Sequence, residues 1–571
     1  MRNSEVAQIL NEIADILELK GVQFKPRAYR KAARTIENLS EELSEIVAHE
    51  KLEELPGVGS RIAEKIRELL DTGDLEYLNK LRKEIPQGWV ELLRIPEIGP
   101  KTVHRLYKEL DIETIDDLRK AIDEHRIREL EGFGERSEEN LHEALGFYEE
   151  HTKRIFIGKA YPIVEDLLSN LQQLPEVKRI EVAGSFRRWR ETVGDIDILV
   201  ASNKPIPVMD GFVNLSGVDR VLAKGTTKSS IILHGGMQVD LRVVHPEVFG
   251  AALLYFTGSK AHNIALRRVA QKRGWKLNEY GLFDNETDEV IARETEEAIY
   301  QALGMQWIPP ELREESGEIE AAQKGKIPQL ISLEDIRGDL QMHTMWSDGA
   351  ESIETMVKAA KKRNYEYVAI SDHSQAVTIA GGLTEDEISE QIDEIRKLDE
   401  KIKDIRILAS AEVEILIDGT LDFSDNILSQ LDVVSIGLHY GTKKPTEEIT
   451  DRLITAMANQ YVDILVHPTG RIVNQRAGYK VDLDRLIDAS KKHKVYLEIN
   501  SSDRHDLSEV AARRVKGHGL KMVINTDAHR SNQLLFMKYG VAIARRAWLQ
   551  ADDIINTRPF NEFRRLLKHI H

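Results

Sequence analysis

Six short apolar runs in the second half of the chain each lead straight into a polar or histidine-bearing segment: YVAIS, IRILASAEVEI, VVSIGLHY, DILVHP, VYLEINSS and KMVINTDAH. Runs of this length, rich in Val and Ile and separated by helical patterns, read as buried strands of a parallel sheet. Polar groups placed at one end of every strand predict a parallel α/β barrel, in which the site collects at the strand C-terminal ends. A single histidine there is more often a satisfied core or surface residue than a ligand. Five strand ends carrying histidine, together with Glu412, Asp527 and the earlier DLQMHTMWSDG and AISDHS segments, are hard to explain that way. The chain has no cysteine. Any metal site must therefore use His, Asp and Glu, a donor set suited to Zn²⁺ or Mn²⁺. A chain without disulfides is also expected in a reducing, cytoplasmic setting.

The 571 residues exceed what one hydrophobic core organises, so several domains are expected. No apolar run is long enough to cross a membrane, and the opening MRNSEVAQILNEIADILELK is an acidic amphipathic helix pattern rather than a leader. A net charge of −17 excludes a uniformly basic nucleic-acid binder. It does not exclude DNA, because local patches and backbone amides contact phosphates while the remaining surface stays acidic.

Up to about residue 150 the pattern is helix after short helix, with apolar Val6, Ile9, Leu10, Ile13, Ile16 and Leu17 at helical spacing. Three related turns punctuate it: LPGVG at Leu55 to Gly59, IPEIG at Ile95 to Gly99, and LEGFG at Leu130 to Gly134. Glycine permits the tight turn, and the helix that follows offers unpaired amides to a DNA phosphate. One copy fits an ordinary helix–turn–helix packing device equally well; three copies favour DNA. Glu97 stands where a glycine is usual in the second copy. The segment FKPRAYRKAARTI interleaves five basic residues with Phe24 and Tyr29, and reads either as a phosphate grip or as a solvated helix face.

From about Ile155 short Val- and Ile-rich strands take over, as in RIEVAG, DIDILVA, SSIILHGG and MQVDLRVV. The densest signal is GSFRRWRETVGDIDILVA. Asp195 and Asp197, two apart in a strand pattern, project from one face, a costly arrangement unless cations bridge them. Asp240, in an otherwise apolar strand, also demands a partner. Three such carboxylates suit a pair of Mg²⁺ or Mn²⁺ ions in two-metal phosphoryl transfer. Upstream, the amides of Gly184 and Ser185 and the charge of Arg188 suit a triphosphate. A polar strand edge with a turn is the bland alternative.

On these motifs the chain, from its start to about Pro310, resembles the family X DNA polymerases, and its first part resembles the helix-hairpin-helix and lyase regions of the DNA polymerase beta type. The segment LYFTGSKAHNIALRRVAQKRGWKLNEYGLF matches the family after the third aspartate. The resemblance implies that Asp195, Asp197 and Asp240 are catalytic metal ligands and that Gly184, Ser185, Arg188 and Gly194 hold dNTP. It further implies that Tyr255, Phe256 and Gly258 line the sugar, Asn263 meets the base edge and Arg267 the template. Lys25, Arg30, Arg61 and Lys65 would surround a downstream 5′-phosphate, with Lys65 at the Schiff-base position. Gly57, Gly59, Gly132 and Gly134 would carry the hairpin contacts to DNA. Phe24 replaces a histidine of the family, and Gln238 an arginine.

The later part resembles the PHP domain. By that match His343, Asp348, His373, Glu412, His439, His467, Asp527 and His529 are ligands of a multinuclear centre, with Gln341 where the family opens on histidine. The implied chemistry is phosphoester hydrolysis, with 3′–5′ exonuclease activity.

The expected architecture is multidomain α+β and α/β. Helical helix-hairpin-helix domains occupy 1–82 and 83–150, a mixed-sheet nucleotidyltransferase palm 151–250, and a thumb-like dNTP- and template-selecting subdomain 251–315. A charged linker at 316–335 leads to a C-terminal, distorted TIM-like PHP barrel at 336–571. The expected partners are gapped or primer–template DNA with a 5′-phosphate, and dNTPs; the chain is expected to work as a monomer, away from membranes. Two other readings stay open: a phosphatase of small phosphoesters, and a DNA-end scaffold without catalysis.

Overall fold

Strand alternation organises the middle of the chain. The computed structural model describes residues 3–22, 24–37, 39, 43–49, 51–72, 75–93, 95, 98–152 and 154–568. Its described residues fall into two units. One holds residues 1–152 with the short segments Gly349–Ser352 and His529–Asn532; the other holds the rest of the chain from 153 onward.

The first unit is helical, as its 3.6-residue apolar period requires. Val6, Leu10, Ile13, Ile16 and Leu17 from the helix Asn3–Leu19 pack with Ala32, Ala33 and Ile36 from Lys25–Glu37 and with Ile62 and Ile66 from Ser60–Thr72. A second core joins Trp89, Val103, Leu106, Leu118 and Leu141.

In the second unit the strands are β1 (Ile155–Phe156), β2 (Arg179–Val182), β3 (Thr192–Val193), β4 (Ile196–Ala201), β5 (Val218–Lys224), β6 (Lys228–Leu233) and β7 (Gln238–Val244). A five-stranded mixed sheet runs β2-β4-β7-β6-β5, with β4 and β7 parallel and adjacent at its centre. Three further strands, β8 (Trp275–Asn278), β9 (Gly281–Asp284) and β10 (Val290–Ala292), form a small antiparallel sheet beside the helices Phe249–Thr257 and Lys260–Gln271.

The last seven strands are β11 (Gly338–Asp339), β12 (Tyr367–Ile370), β13 (Arg406–Glu414), β14 (Val433–Gly437), β15 (Ile464–Leu465), β16 (Tyr496–Asn500) and β17 (Met522–Asn525). They lie parallel in chain order, and a parallel bridge between Met342 and Ala528 brings the two edges together, a nearly closed barrel. Strand β11 escapes a reading by apolar runs because it is only two residues long.

The stretch expected as a linker is packed. Glu318 is fully buried at the start of the helix Glu318–Gln323, Ile319, Ala322 and Ile331 are buried, and Arg313 just before the stretch is fully buried as well. The physical reason is charge satisfaction. Arg313 reaches Glu296 through two hydrogen bonds of 2.6 and 3.0 Å, and Glu318 accepts from the buried His262 ring at 2.8 Å. Charged composition thus reflects buried ion pairs here, not a solvated tether. The core of the five-stranded sheet also takes in Val473 and Tyr539 from the barrel segment.

Candidate active sites

Asp197 lies in β4 and Asp240 in β7, directly opposite one another in the parallel register. Asp195 precedes β4 by one residue and is exposed. Burial, and after it the neighbouring Asp195 and Asp240 charges, push Asp197 up to about 6. That is the signature of like charges crowded on one face. Gly184, at φ +58°, opens the short helix Gly184–Arg187 beside them. A Cβ at Gly184 would stand 2.3 Å from Asp197 Oδ2, so only glycine lets the turn approach the carboxylate. Ser185 follows in that helix, and Gly194 sits in the bend before Asp195.

Asp240 has partners of its own. Lys228 Nζ lies 2.8 Å from its Oδ2, and Gln238 Nε2 donates to its Oδ1 at 3.0 Å. Burial works to raise its pKa, but the hydrogen bonds from Lys228, Gln238 and Ser230 prevail and hold it below the usual aspartate value. The three aspartates are not among the described groups whose donor atoms all lie within 4.8 Å of one another. The Lys228 side chain is 44% exposed, so its ammonium can turn to solvent and leave the carboxylate available.

Arg188, expected on a triphosphate, is tied down. Its Nε lies 3.0 Å from Glu314 Oε1 and its Nη1 donates to the Thr257 carbonyl, while Arg546 Nη1 donates to its own carbonyl at 2.7 Å. Its charge is taken by groups far off in sequence, which local patterning cannot reveal. Tyr255 and Phe256 meet edge to face at 5.1 Å, and Arg242 lies over Phe256. Gly258 caps the helix Phe249–Thr257. Asn263 Nδ2 donates to the Tyr255 carbonyl at 2.7 Å, and Tyr255, Asn263 and Arg267 line one small pocket with Leu277 and Asn278.

In the helical unit Gly57 and Gly132 share a left-handed φ, +85° and +80°, at equivalent turn positions. Gly59 and Gly134 follow, with open space around them, and their carbonyls accept from the first turn of the next helix. In the second copy Val103 N bonds the Gly99 carbonyl in the same manner, whereas Glu97 lies outside the described residues. Lys25 and Arg61 are exposed. Arg30, expected near a 5′-phosphate, pairs instead with Asp15 at 2.8 Å and Glu18 at 2.7 Å. Lys65 Nζ sits 4.7 Å from the Tyr77 ring.

At the strand ends of the barrel, Glu412 is the hub. His467 Nε2 lies 2.8 Å and His439 Nε2 3.2 Å from its Oε1, and His343 Nε2 lies 3.4 Å from its Oε2. His343 Nε2 is also 3.2 Å from Asp527, and Asp348 lies 3.9 Å from His343 and 3.8 Å from His373. Potential ligand atoms of His373, Glu412 and His439, and of His343, Glu412 and Asp527, lie within 4.8 Å of one another. His529 sits two residues beyond Asp527, in the segment that groups with the helical unit. Burial holds His373 down to about 3, the neutral form that metal ligation uses. A Cβ on Gly437 would meet Glu412 Oε1 at 2.6 Å and His439 Cε1 at 3.0 Å, so the glycine keeps the hub open. These donors fit hard-to-borderline divalent cations.

Supporting residues escaped the sequence reading. Glu414 Oε2 lies 2.6 Å from His439 Nδ1 and fixes that ring so that Nε2 faces Glu412. Asp372 accepts from Thr344 N, Ser347 Oγ and Gln391 Nε2, and so holds the loop that carries Asp348. Glu498 accepts from His467 N at 2.8 Å. Glu414 had one local signal: it stands two residues after Glu412 in the same strand, hence on the same face.

Residues 252–314 match the family DNA polymerase beta thumb, and residues 339–502 match the PHP domain. Residues 1–75 match a helix-hairpin-helix domain, and 90–146 a SAM-like helix-hairpin-helix tandem. The chain is 39% identical over 572 residues to the DNA polymerase/3′-5′ exonuclease PolX of Bacillus subtilis, covering 100% of both chains. It is 29% identical over 231 residues to a probable phosphatase of Thermoanaerobacter sp., covering 38% of this chain and 89% of that protein. It is 25% identical over 343 residues to DNA polymerase lambda of Rattus norvegicus, covering 55% of this chain and 56% of that one.

Proposed function

The chain belongs to the bacterial family X DNA polymerases of the PolX type, and from that premise we propose that it fills short gaps in DNA during repair while its PHP domain removes nucleotides from 3′ ends. The observation that carries the polymerase reading is the register of Asp197 against Asp240 on adjacent parallel strands beside the Gly184 turn. A scaffold without catalysis does not accord with membership of that family.

Both activities depend on divalent metal. We assign Mg²⁺ or Mn²⁺ to Asp195, Asp197 and Asp240, and Zn²⁺ or Mn²⁺ to His343, Asp348, His373, Glu412, His439, His467, Asp527 and His529. Metals so held supply charge neutralisation at phosphate and a lowered pKa for an attacking hydroxyl. Asp240, opposite Asp197 in the register, is assigned either as the acceptor of the primer hydroxyl proton or as the anchor of one of the two metals. Gly184, Ser185 and Gly194 border the triphosphate position, and Tyr255, Phe256, Gly258 and Asn263 shape the sugar and base pocket, with Arg267 on the template side. Arg188 steadies the junction with Glu314 rather than gripping phosphate in the arrangement observed.

The substrates are DNA and dNTPs. The Gly57–Gly59 and Gly132–Gly134 turns are assigned to backbone phosphates, and Lys25, Arg61 and Lys65 to a 5′-phosphate, with Arg30 joining once released from Asp15 and Glu18. The domain bounds at 82, 150, 250, 315 and 335, with 316–335 a packed connection, action as a monomer and a place in the cytoplasm belong to the same proposal.

The test uses a gapped duplex with a 5′-phosphate, dNTPs and Mn²⁺. Asp197→Ala is expected to abolish extension and spare nuclease activity, and His343→Ala to do the reverse. Loss of both activities from either single change would refute the two-site division.

A further inference from the structure

The barrel donors make three overlapping sets. His343, Asp348 and His373 form one; His373, Glu412 and His439 a second, with His467 beside Glu412; His343, Glu412 and Asp527 the third. The third set differs from the second in what already touches it. Gln341, fully buried, donates from Nε2 to Glu412 Oε2 at 2.9 Å, the oxygen that faces His343. Asp527 Oδ2 accepts from Asn500 Nδ2 at 3.2 Å and from Arg504 Nε at 3.3 Å. In the second set Glu412 Oε1 instead meets two imidazole nitrogens, one of them oriented by Glu414.

Gln341 turns to Glu412 its Nε2, which has no lone pair to give a metal. Its buried Oε1, without a hydrogen-bond partner among the described residues, is a neutral amide oxygen and a weaker donor than imidazole. The Arg504 guanidinium is a permanent cation. Both groups do at the third set what a cation would do: they satisfy and neutralise carboxylate oxygens. We propose that Gln341 and Arg504 stand in for an ion at the His343–Glu412–Asp527 position, so that this centre holds two divalent ions where its layout offers three places. The inference rests on reading these donors as a metal centre. Its determinant is Gln341, because restoring an imidazole there supplies a fourth ligand and removes the amide from Glu412.

Metal content decides the matter without recourse to activity. Full-length protein carrying Asp195→Ala and Asp197→Ala, to silence the palm, is equilibrated with Mn²⁺, stripped of loose ions by gel filtration and analysed by mass spectrometry of the elements. About two ions per chain are expected, rising to about three with Gln341→His and staying near two with Gln341→Leu. Gln341→Glu, which also adds a donor, serves if the histidine variant melts early. Three ions in the parent, or no gain in either donor-adding variant that keeps the parent melting temperature, overturns the proposal. Glu412→Ala separates the two layers: if it keeps the parent's ions, the metal-centre reading fails and the proposal falls with it. If it loses them while Gln341→His gains none, only the proposal fails.

Discussion

Lys228 Nζ lies 2.8 Å from Asp240 Oδ2, from the strand β6 that pairs with the aspartate's own β7. The most buried of the candidate polymerase carboxylates therefore carries a cation supplied by the chain. A divalent ion that uses Asp240 Oδ2 must displace the ammonium of a side chain that is 44% exposed.

A pair whose cation is open to solvent contributes about 1 kcal/mol or less. Lys228→Ala is therefore expected to lower the Mg²⁺ concentration that half-saturates primer extension by up to about fivefold. Titrating the extension rate with Mg²⁺ checks it. An unchanged or raised requirement would mean that Lys228 does not compete with the metal.

Gly184→Ala puts a methyl group where Asp197 Oδ2 stands 2.3 Å away, on a backbone of φ +58°. Displacement of a reacting group by about 1 Å costs about a hundredfold in rate. Extension is expected to fall by about that factor while nuclease activity holds, and the left-handed backbone costs about 1–2 kcal/mol of stability. Wild-type extension by this variant would remove Gly184 from the site.

Glu414 bears on the barrel site through His439 Nδ1, 2.6 Å away. Loss of such an orienting carboxylate typically weakens metal affinity by about 10–100-fold. Glu414→Gln should raise the Mn²⁺ needed for nuclease activity by about that factor and leave extension alone. Equal metal dependence in the two proteins would reduce Glu414 to a packing role.

Glu296 predicts a pH dependence of stability. Burial works to raise its pKa, but Arg313 and Arg187 outweigh it and hold the carboxyl well below its usual 4.5. A depressed folded pKa gives stability that is complete above the unfolded value and lost as pH falls towards the folded one. Removing the charge strands the buried Arg313, at a cost of about 3–5 kcal/mol near neutrality. The difference in stability between wild type and Glu296→Gln should hold steady from pH 8 to about 5 and shrink below about 4. Thermal melts across that range measure it; a gap that persists undiminished at pH 3 would contradict the ion-pair account.

Legibility in the sequence followed range. The Asp195–Asp197 spacing, the hairpin turns and the donors at successive strand ends were readable because each depends on periods of two or 3.6 residues or on a local turn. The packing of the stretch expected as a linker was not legible because the partner of Glu318 is His262, 56 residues away, as that of the neighbouring Arg313 is Glu296, 17 residues away. The ion pairs of Arg30 and Arg188, both expected on phosphate, were not legible for the same reason. Their acids, Asp15 with Glu18 and Glu314, lie on other elements.

Sequence alone determined which residue types stand at strand ends and turns, since backbone geometry projects alternate side chains to one face and puts the residue after a strand at its mouth. Tertiary structure alone decided which charges remain available there. Lys228 against Asp240, Gln341 against Glu412 and Arg504 against Asp527 meet only after the sheets close. A carboxylate's state is set by the nearest cation or donor in space, and chain order does not record that distance.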